Sequence, residues 1–169
     1  MFHSTLLPSL LRALPVVLAL ACLVGAATPA RADEAADTVL AIINQARVKA
    51  GCSALKLNSK LMAAAKIHAR NMAEKDFFGH KGKDGSKPSS RAKRQGYSYH
   101  MYAENIAAGQ SSAEEVARSW LASAGHRKNI LTCRLKDTGI AVAYQSDDEP
   151  LDGQSKAFYY YWVQDFGDP

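Results

Sequence analysis

The sequence has no HExxH run, no G-x-S-x-G elbow and no glycine-rich phosphate loop, so the common zinc-protease, serine-hydrolase and nucleotide-binding routes have no support. Internal repeats and low-complexity tracts are also absent. The formal charge is a modest +5, too little to argue for nucleic acid. Only one long apolar run exists, from Ala13 to Ala27, and no later segment is long and apolar enough to cross a membrane. Cysteine is scarce, with three residues at positions 22, 52 and 133.

Arg12 precedes the apolar run and Thr28-Pro29-Ala30-Arg31-Ala32 follows it. A core of about 15 residues is too short to span a bilayer comfortably, and an Ala-Arg-Ala ending suits signal peptidase. Residues 1–32 are therefore expected to be a signal peptide cut after Ala32. Residues 33–169 remain as one secreted or periplasmic domain, expected to be a monomer. The alternative is a lipoprotein acylated at Cys22, whose preceding Leu20-Ala21 fit that pattern imperfectly. Losing Arg12 and Arg31 takes the charge to +3. Cys52 and Cys133 then form an even pair in an exported chain and read as a disulfide; the competing reading is a Cys133 thiol nucleophile with His126 as its base.

Residues 35–50 have the periodicity of a helix, with Val39, Ile42, Ile43, Ala46 and Val48 as the apolar stripe and Gly51 as its end. Asn58 is placed to cap a second helix running to about Lys75, where Leu61, Ala65, His68 and Met72 share one face. His68 therefore points inward, as a structural histidine bonded to a backbone carbonyl. Residues 76–100 read as a polar loop with a short helix near Pro88–Gln95. The cations Lys81, Lys83, Lys87, Arg91, Lys93 and Arg94 are read as solvated, with contact to anionic lipid or wall polymer as the alternative.

Ser112-Ala113-Glu114-Glu115 matches a capping box opening a third helix through Trp120, a core residue, with Gly125 as the break before His126. Ile140, Val142 and Tyr144 alternate as one strand. Residues 157–166 form its partner, with Phe158, Tyr160, Trp162 and Phe166 on one face. The connection with Asp147, Asp148, Glu149, Asp152 and Gly153 reads as a solvated turn without calcium-ligand spacing. Helices beside an antiparallel sheet make an α+β domain. Tyr97, Tyr99 and Tyr102 either rim a ligand groove or simply pack.

Three phrases carry the chemistry: Phe77-Phe78-Gly79-His80, Ala103-Glu104-Asn105-Ile106, and the run from Trp120 to Leu131. Two imidazoles and one carboxylate can hold Zn²⁺ with an open fourth position, or Glu104 can orient an imidazole as general base. The rival is a structural cluster in which Asn105 and Asn129 bond backbone groups and Arg127 pairs with Glu104.

With Ile43-Asn44-Gln45-Ala46-Arg47, Ala65-Lys66-Ile67-His68-Ala69-Arg70-Asn71-Met72-Ala73 and Trp162-Val163-Gln164-Asp165-Phe166-Gly167, these phrases resemble the compact bacterial branch of the CAP superfamily, also called SCP-like. The resemblance implies a three-layer α-β-α sandwich with a central antiparallel sheet. It also implies a cleft tetrad of two histidines and two acids. His80, Glu104 and His126 match three members; the fourth falls three residues after Trp120, where Ser123 stands instead of glutamate.

The expected function is an exported protein that binds a lipid, a sterol-like molecule or a cell-envelope polymer through His80, Glu104, Asn105, Ser123 and His126. Weakly held Zn²⁺ on His80, Glu104 and His126 is the expected cofactor. The alternative is an envelope hydrolase using the same three residues on peptide or glycan. A single carboxylate cannot supply a glycosidase acid–base pair, which weighs against it.

Overall fold

The structure is a computed structural model describing Met1 and residues 29–169, so the apolar part of the expected leader and Cys22 lie outside the described residues. Within the described residues the chain forms α1 (Pro29–Lys49), β1 (Lys56–Leu57), α2 (Ser59–Glu74), α3 (Pro88–Arg94), β2 (Met101–Ala108), α4 (Ala113–Ala122), α5 (Ala124–Ile130), β3 (Asp137–Tyr144) and β4 (Tyr160–Asp168). The expected cut after Ala32 falls in the first turn of α1.

The strands form one sheet in the order β1-β3-β4-β2. Its three long strands are antiparallel, and the two-residue β1 adds a parallel pairing at one edge. β4 is buried over seven consecutive residues because both its faces are covered. Trp162 and Phe166 enter a core with Val39 and Ile43 of α1 and Val116 and Trp120 of α4. Tyr161 and Val163 enter a second core with Ala65, Ala69 and Met72 of α2. The result is a three-layer α-β-α sandwich. Phe158 lies before the strand and packs with the α2-side core, not on the Trp162 face expected for it.

Local chemistry accounts for most boundaries. The Asn58 side chain accepts from the backbone N–H of Lys60 and Leu61, starting α2. Ser112 accepts from the N–H of Glu115 and starts α4, whose first turn also holds Glu114 and Glu115 beside the positive helix end. The expected break at Gly125 is corrected: α4 ends at Ser123 and a new helix begins at once, with Gly125 and His126 inside α5. Val48, expected in the apolar stripe of α1, is exposed, and its neighbour Arg47 is fully buried. The Arg47 guanidinium donates to the carbonyls of Ser53, Ile130, Thr132 and Leu135.

Cys52 and Cys133 are joined in a disulfide across 81 residues, so the nucleophile reading of Cys133 is overturned. Closing a loop of that length stabilises by about 4–5 kcal/mol in the chain-entropy model. The acidic connection is corrected in part: Asp148 is buried and accepts from the N–H of Phe158 and Tyr159 and from the Tyr161 hydroxyl.

Helix α2 crosses β3 so closely at Gly139 that a Cβ there would overlap the backbone of Leu61 and Met62. Gly139→Ala is therefore expected to cost about 1–3 kcal/mol. Gly125→Ala, in open space within α5, is expected to gain up to about 1 kcal/mol from helix propensity. Urea denaturation should move the two midpoints in opposite directions.

Candidate functional site

Glu104 lies near the middle of β2, the strand at the sheet edge away from β1. Residues on one strand face alternate, so Glu104 shares the α2 side with Ile106. Its side chain is almost wholly buried, at 2% exposure, and a buried carboxylate needs partners for both oxygens. Arg91 of α3 donates from Nη2 to Oε2 at 2.6 Å, and His80 meets Oε1 through Nδ1 at 2.7 Å. A carboxylate only accepts, so His80 carries its hydrogen on Nδ1 and leaves Nε2 for solvent or a ligand. The His80 side chain is 54% exposed.

The backbone around His80 is pinned from both sides. Arg91 Nη1 donates to the His80 carbonyl at 3.0 Å, and the fully buried His68 donates from Nε2 to the carbonyl of Gly79 at 2.9 Å. Burial first of all pushes His68 down to a pKa of about 4, with Glu104 opposing and Arg91 adding to the shift. Two expectations change here. Arg91, read as one of several solvated cations, is buried. The Arg127 proposed to pair with Glu104 is exposed, and Arg91 takes that place.

The second imidazole comes from α5, packed along the free edge of β2. Asn105 Nδ2 donates to the His126 carbonyl at 3.3 Å, and Asn129 Nδ2 donates to Asn105 Oδ1 at 2.9 Å and to the Glu104 carbonyl at 3.3 Å. These bonds occupy edge backbone groups that water or another strand would otherwise take. His126 is half-buried, and its pKa is lowered by burial and then by the nearby His80 charge. Ser123 is the joint between α4 and α5, one turn before His126; its side chain makes no capping bond. Trp120 is fully buried and donates from Nε1 to the Ile106 carbonyl at 3.3 Å, fastening α4 to β2.

Two further residues join the cluster: Asp165, given no role in the sequence reading, and Tyr102, read there as groove rim or simple packing. Asp165 stands directly opposite Glu104 in the β2–β4 register and is fully buried. Tyr102 donates its hydroxyl to Asp165 Oδ1 at 2.6 Å. Burial and then the Glu104 charge raise the Asp165 pKa well above its ordinary value. Asp165 lies in the Trp162–Gly167 phrase, where the strand reading marked only the apolar residues and gave Asp165 no role. Burial raises the Tyr102 hydroxyl as well, with Asp165 adding to it.

Both Glu104 oxygens and His80 Nδ1 are already engaged. No group of three His, Cys, Asp or Glu side chains among the described residues is arranged to hold a metal ion. His80 Nε2 and the His126 ring are the donors left, which is a poor fit to the closed or three-ligand zinc sites. Chemically, the site presents a carboxylate-oriented imidazole beside a second, largely neutral one.

A three-layer sandwich carrying a His–Glu pair beside a second histidine defines the class of protein. The model of the cysteine-rich secretory protein family, CAP, matches residues 40–166, and the chain belongs to that family. It is 35% identical over 102 residues to the uncharacterized protein YkwD of Bacillus subtilis strain 168, covering 60% of this chain and 40% of that protein. It is 28% identical over 104 residues to the uncharacterized membrane protein YlbC of the same organism, covering 62% of this chain and 30% of that one. The chain thus spans well under half the length of these relatives. An extracellular protein containing a SCP domain from Bacillus anthracis superposes with a TM-score of 0.70 at 21% identity, over 86% of this chain and 45% of that one. An outer surface protein of Borrelia burgdorferi gives 0.68 at 21% identity, over 80% of this chain and 92% of that one. At that identity the likeness concerns the fold.

The depressed pKa of His68 sets an acid limit on the support of His80. Between pH 6.5 and about 4 the unfolded chain takes up the proton and the folded chain does not. Stability is therefore fully present above pH 6.5 and falls by about 3 kcal/mol as pH drops toward 4. Proton NMR should place the His68 midpoint near 4; a midpoint near 6.5 would contradict its burial.

Proposed function

We propose that this chain is an exported CAP-domain binding protein whose ligand, a lipid, a sterol-like molecule or a cell-envelope polymer, is held at the His80–Glu104–His126 site. The observation behind this reading is that Glu104 spends both oxygens inside the protein. What remains for a partner is imidazole, one ring offering an acceptor at Nε2 and the other a half-buried, largely neutral face. Such a surface suits hydroxyl and carbonyl groups of an uncharged ligand portion. Phe78, two residues before His80 on the same loop, is an exposed apolar side chain that packs toward Phe158. Export is supported by the leader-like start and by the surface and extracellular settings named for its structural neighbours.

A second reading, a hydrolase, draws on the same His80–Glu104 pair, which resembles the base-and-orienter half of a catalytic constellation. The one further carboxyl nearby, Asp165, is buried beneath Glu104, so it does not supply a second substrate-facing acid.

Glu104→Gln and His126→Ala separate the readings. Retention of co-purifying lipid, or binding to isolated cell envelope, is expected to weaken about tenfold in each variant, through a lost ligand contact in His126→Ala and through a displaced His80 in Glu104→Gln, with thermal unfolding verifying that both variants fold. Peptidoglycan or casein should not be turned over by the wild type. Turnover that disappears in both variants would establish the hydrolase instead, and unchanged retention in both would remove the ligand from this site.

Any Zn²⁺ at this site would be held by His80 Nε2 and His126 alone among the described side chains, and so would be readily exchanged. Elemental analysis is expected to find less than one zinc per chain, lost on dialysis against chelator. Stoichiometric zinc surviving dialysis would overturn that expectation.

A further inference from the structure

Charge is distributed unevenly along this chain. Residues 59–96, comprising α2, the following loop and α3, carry ten Lys and Arg against three Asp and Glu. Residues 33–58 and 97–169 together carry nine against thirteen. One segment is thus +7 and the remainder −4, a polarity hidden by the net charge. Arg91 is the buried exception; the other nine cations of the segment are exposed. Lys60, Lys66, Lys81, Lys87 and Lys93 have no carboxylate partner among the described residues.

This basic face also has a shaped centre. A cavity of about 150 Å³ lies between α2 and α3, with the apolar Ile67 in its wall beside Asn71, Asp84, Ser86, Arg91, Arg94 and Gln95. The one carboxylate there is largely committed: Asp84 Oδ1 accepts from the Ser86 N–H at 2.9 Å. Its pairing with Arg94 is long, at 3.7 Å, and exposed, so Arg94 is held loosely. The side-chain amides of Asn71 and Gln95 make no hydrogen bond within the described residues. Unspent donors around a small hollow suit a compact anionic group with several acceptor oxygens. Ile67 on α2 and Phe78 on the loop are the large apolar side chains exposed in this segment, and bilayer insertion needs more apolar surface than that. The face therefore fits a polymer rather than a membrane.

We propose that the α2–α3 face is a docking surface for an anionic polymer, one of whose phosphate or carboxylate groups seats between Asn71, Arg94 and Gln95. The surrounding lysines meet neighbouring groups along the chain. This surface is separate from the ligand reading of the His80 site and does not depend on it.

The test titrates the full chain with long-chain polyphosphate, with polygalacturonate and with vesicles of one-third anionic phosphatidylglycerol, at about 50 and about 200 mM NaCl. At least one polymer is expected to bind more tightly than the vesicles, with affinity falling about tenfold or more at the higher salt. Which polymer binds tells phosphate from carboxylate. The Lys60→Gln, Lys66→Gln, Lys93→Gln triple variant should weaken binding and flatten the salt dependence. The Asn71→Ala, Gln95→Ala double variant leaves the charge unchanged and should still weaken binding about fivefold, the scale of a lost hydrogen bond, with its thermal unfolding verifying the fold. Absence of polymer binding at low salt, tighter binding to vesicles, or a folded double variant that binds like wild type would each overturn the proposal.

Discussion

The buried pair between Arg91 and Glu104 is the interaction on which the rest of the site depends. A carboxylate at 2% exposure inside a sheet is tolerable only with a cation in contact. Removing either partner of such a pair costs about 3–5 kcal/mol, because the other charge is left unmatched. Here the pair does more than balance charge. It binds α3 and its polar loop to an edge strand, and the same guanidinium grips the backbone carbonyl of His80. The exposed imidazole is therefore positioned by a group that no ligand reaches.

That arrangement explains how a loop can present a fixed side chain. The stretch between α2 and α3 has no strand or long helix of its own, yet His68 and Arg91 hold the carbonyls of Gly79 and His80. On the other side of β2, Asn105 and Asn129 tie α5 to the strand. The sheet edge thus becomes a spine with one histidine fastened to each flank. Asp165, opposite Glu104 across the β2–β4 register, is pushed toward its neutral form by burial and by the Glu104 charge.

Much of the fold was legible in residue patterns. Asn58 and Ser112 mark their helices through cap chemistry that is local, and Trp162 and Phe166 mark a core face through the alternation of a strand. Position-specific failures have physical causes. Arg47 and Arg91 are long cations whose burial depends on distant carbonyls or a distant carboxylate, and nothing in the adjacent sequence records that. Glu104 was identified through family phrasing, while β2 itself went unread because Met101–Ala108 shows no clean alternation. Asp165 was invisible because only the strand register sets it opposite Glu104. The joint at Ser123 was likewise hidden, since a helix boundary without glycine or proline gives a weak local signal.

The turn after α5 is fastened twice, by the Cys52–Cys133 bridge and by the carbonyls of Ile130, Thr132 and Leu135 gathered on Arg47. Only the first fastening requires an oxidant. The second is made of hydrogen bonds that thiol reduction leaves chemically intact, so the ground under His126 does not hang on the bridge alone.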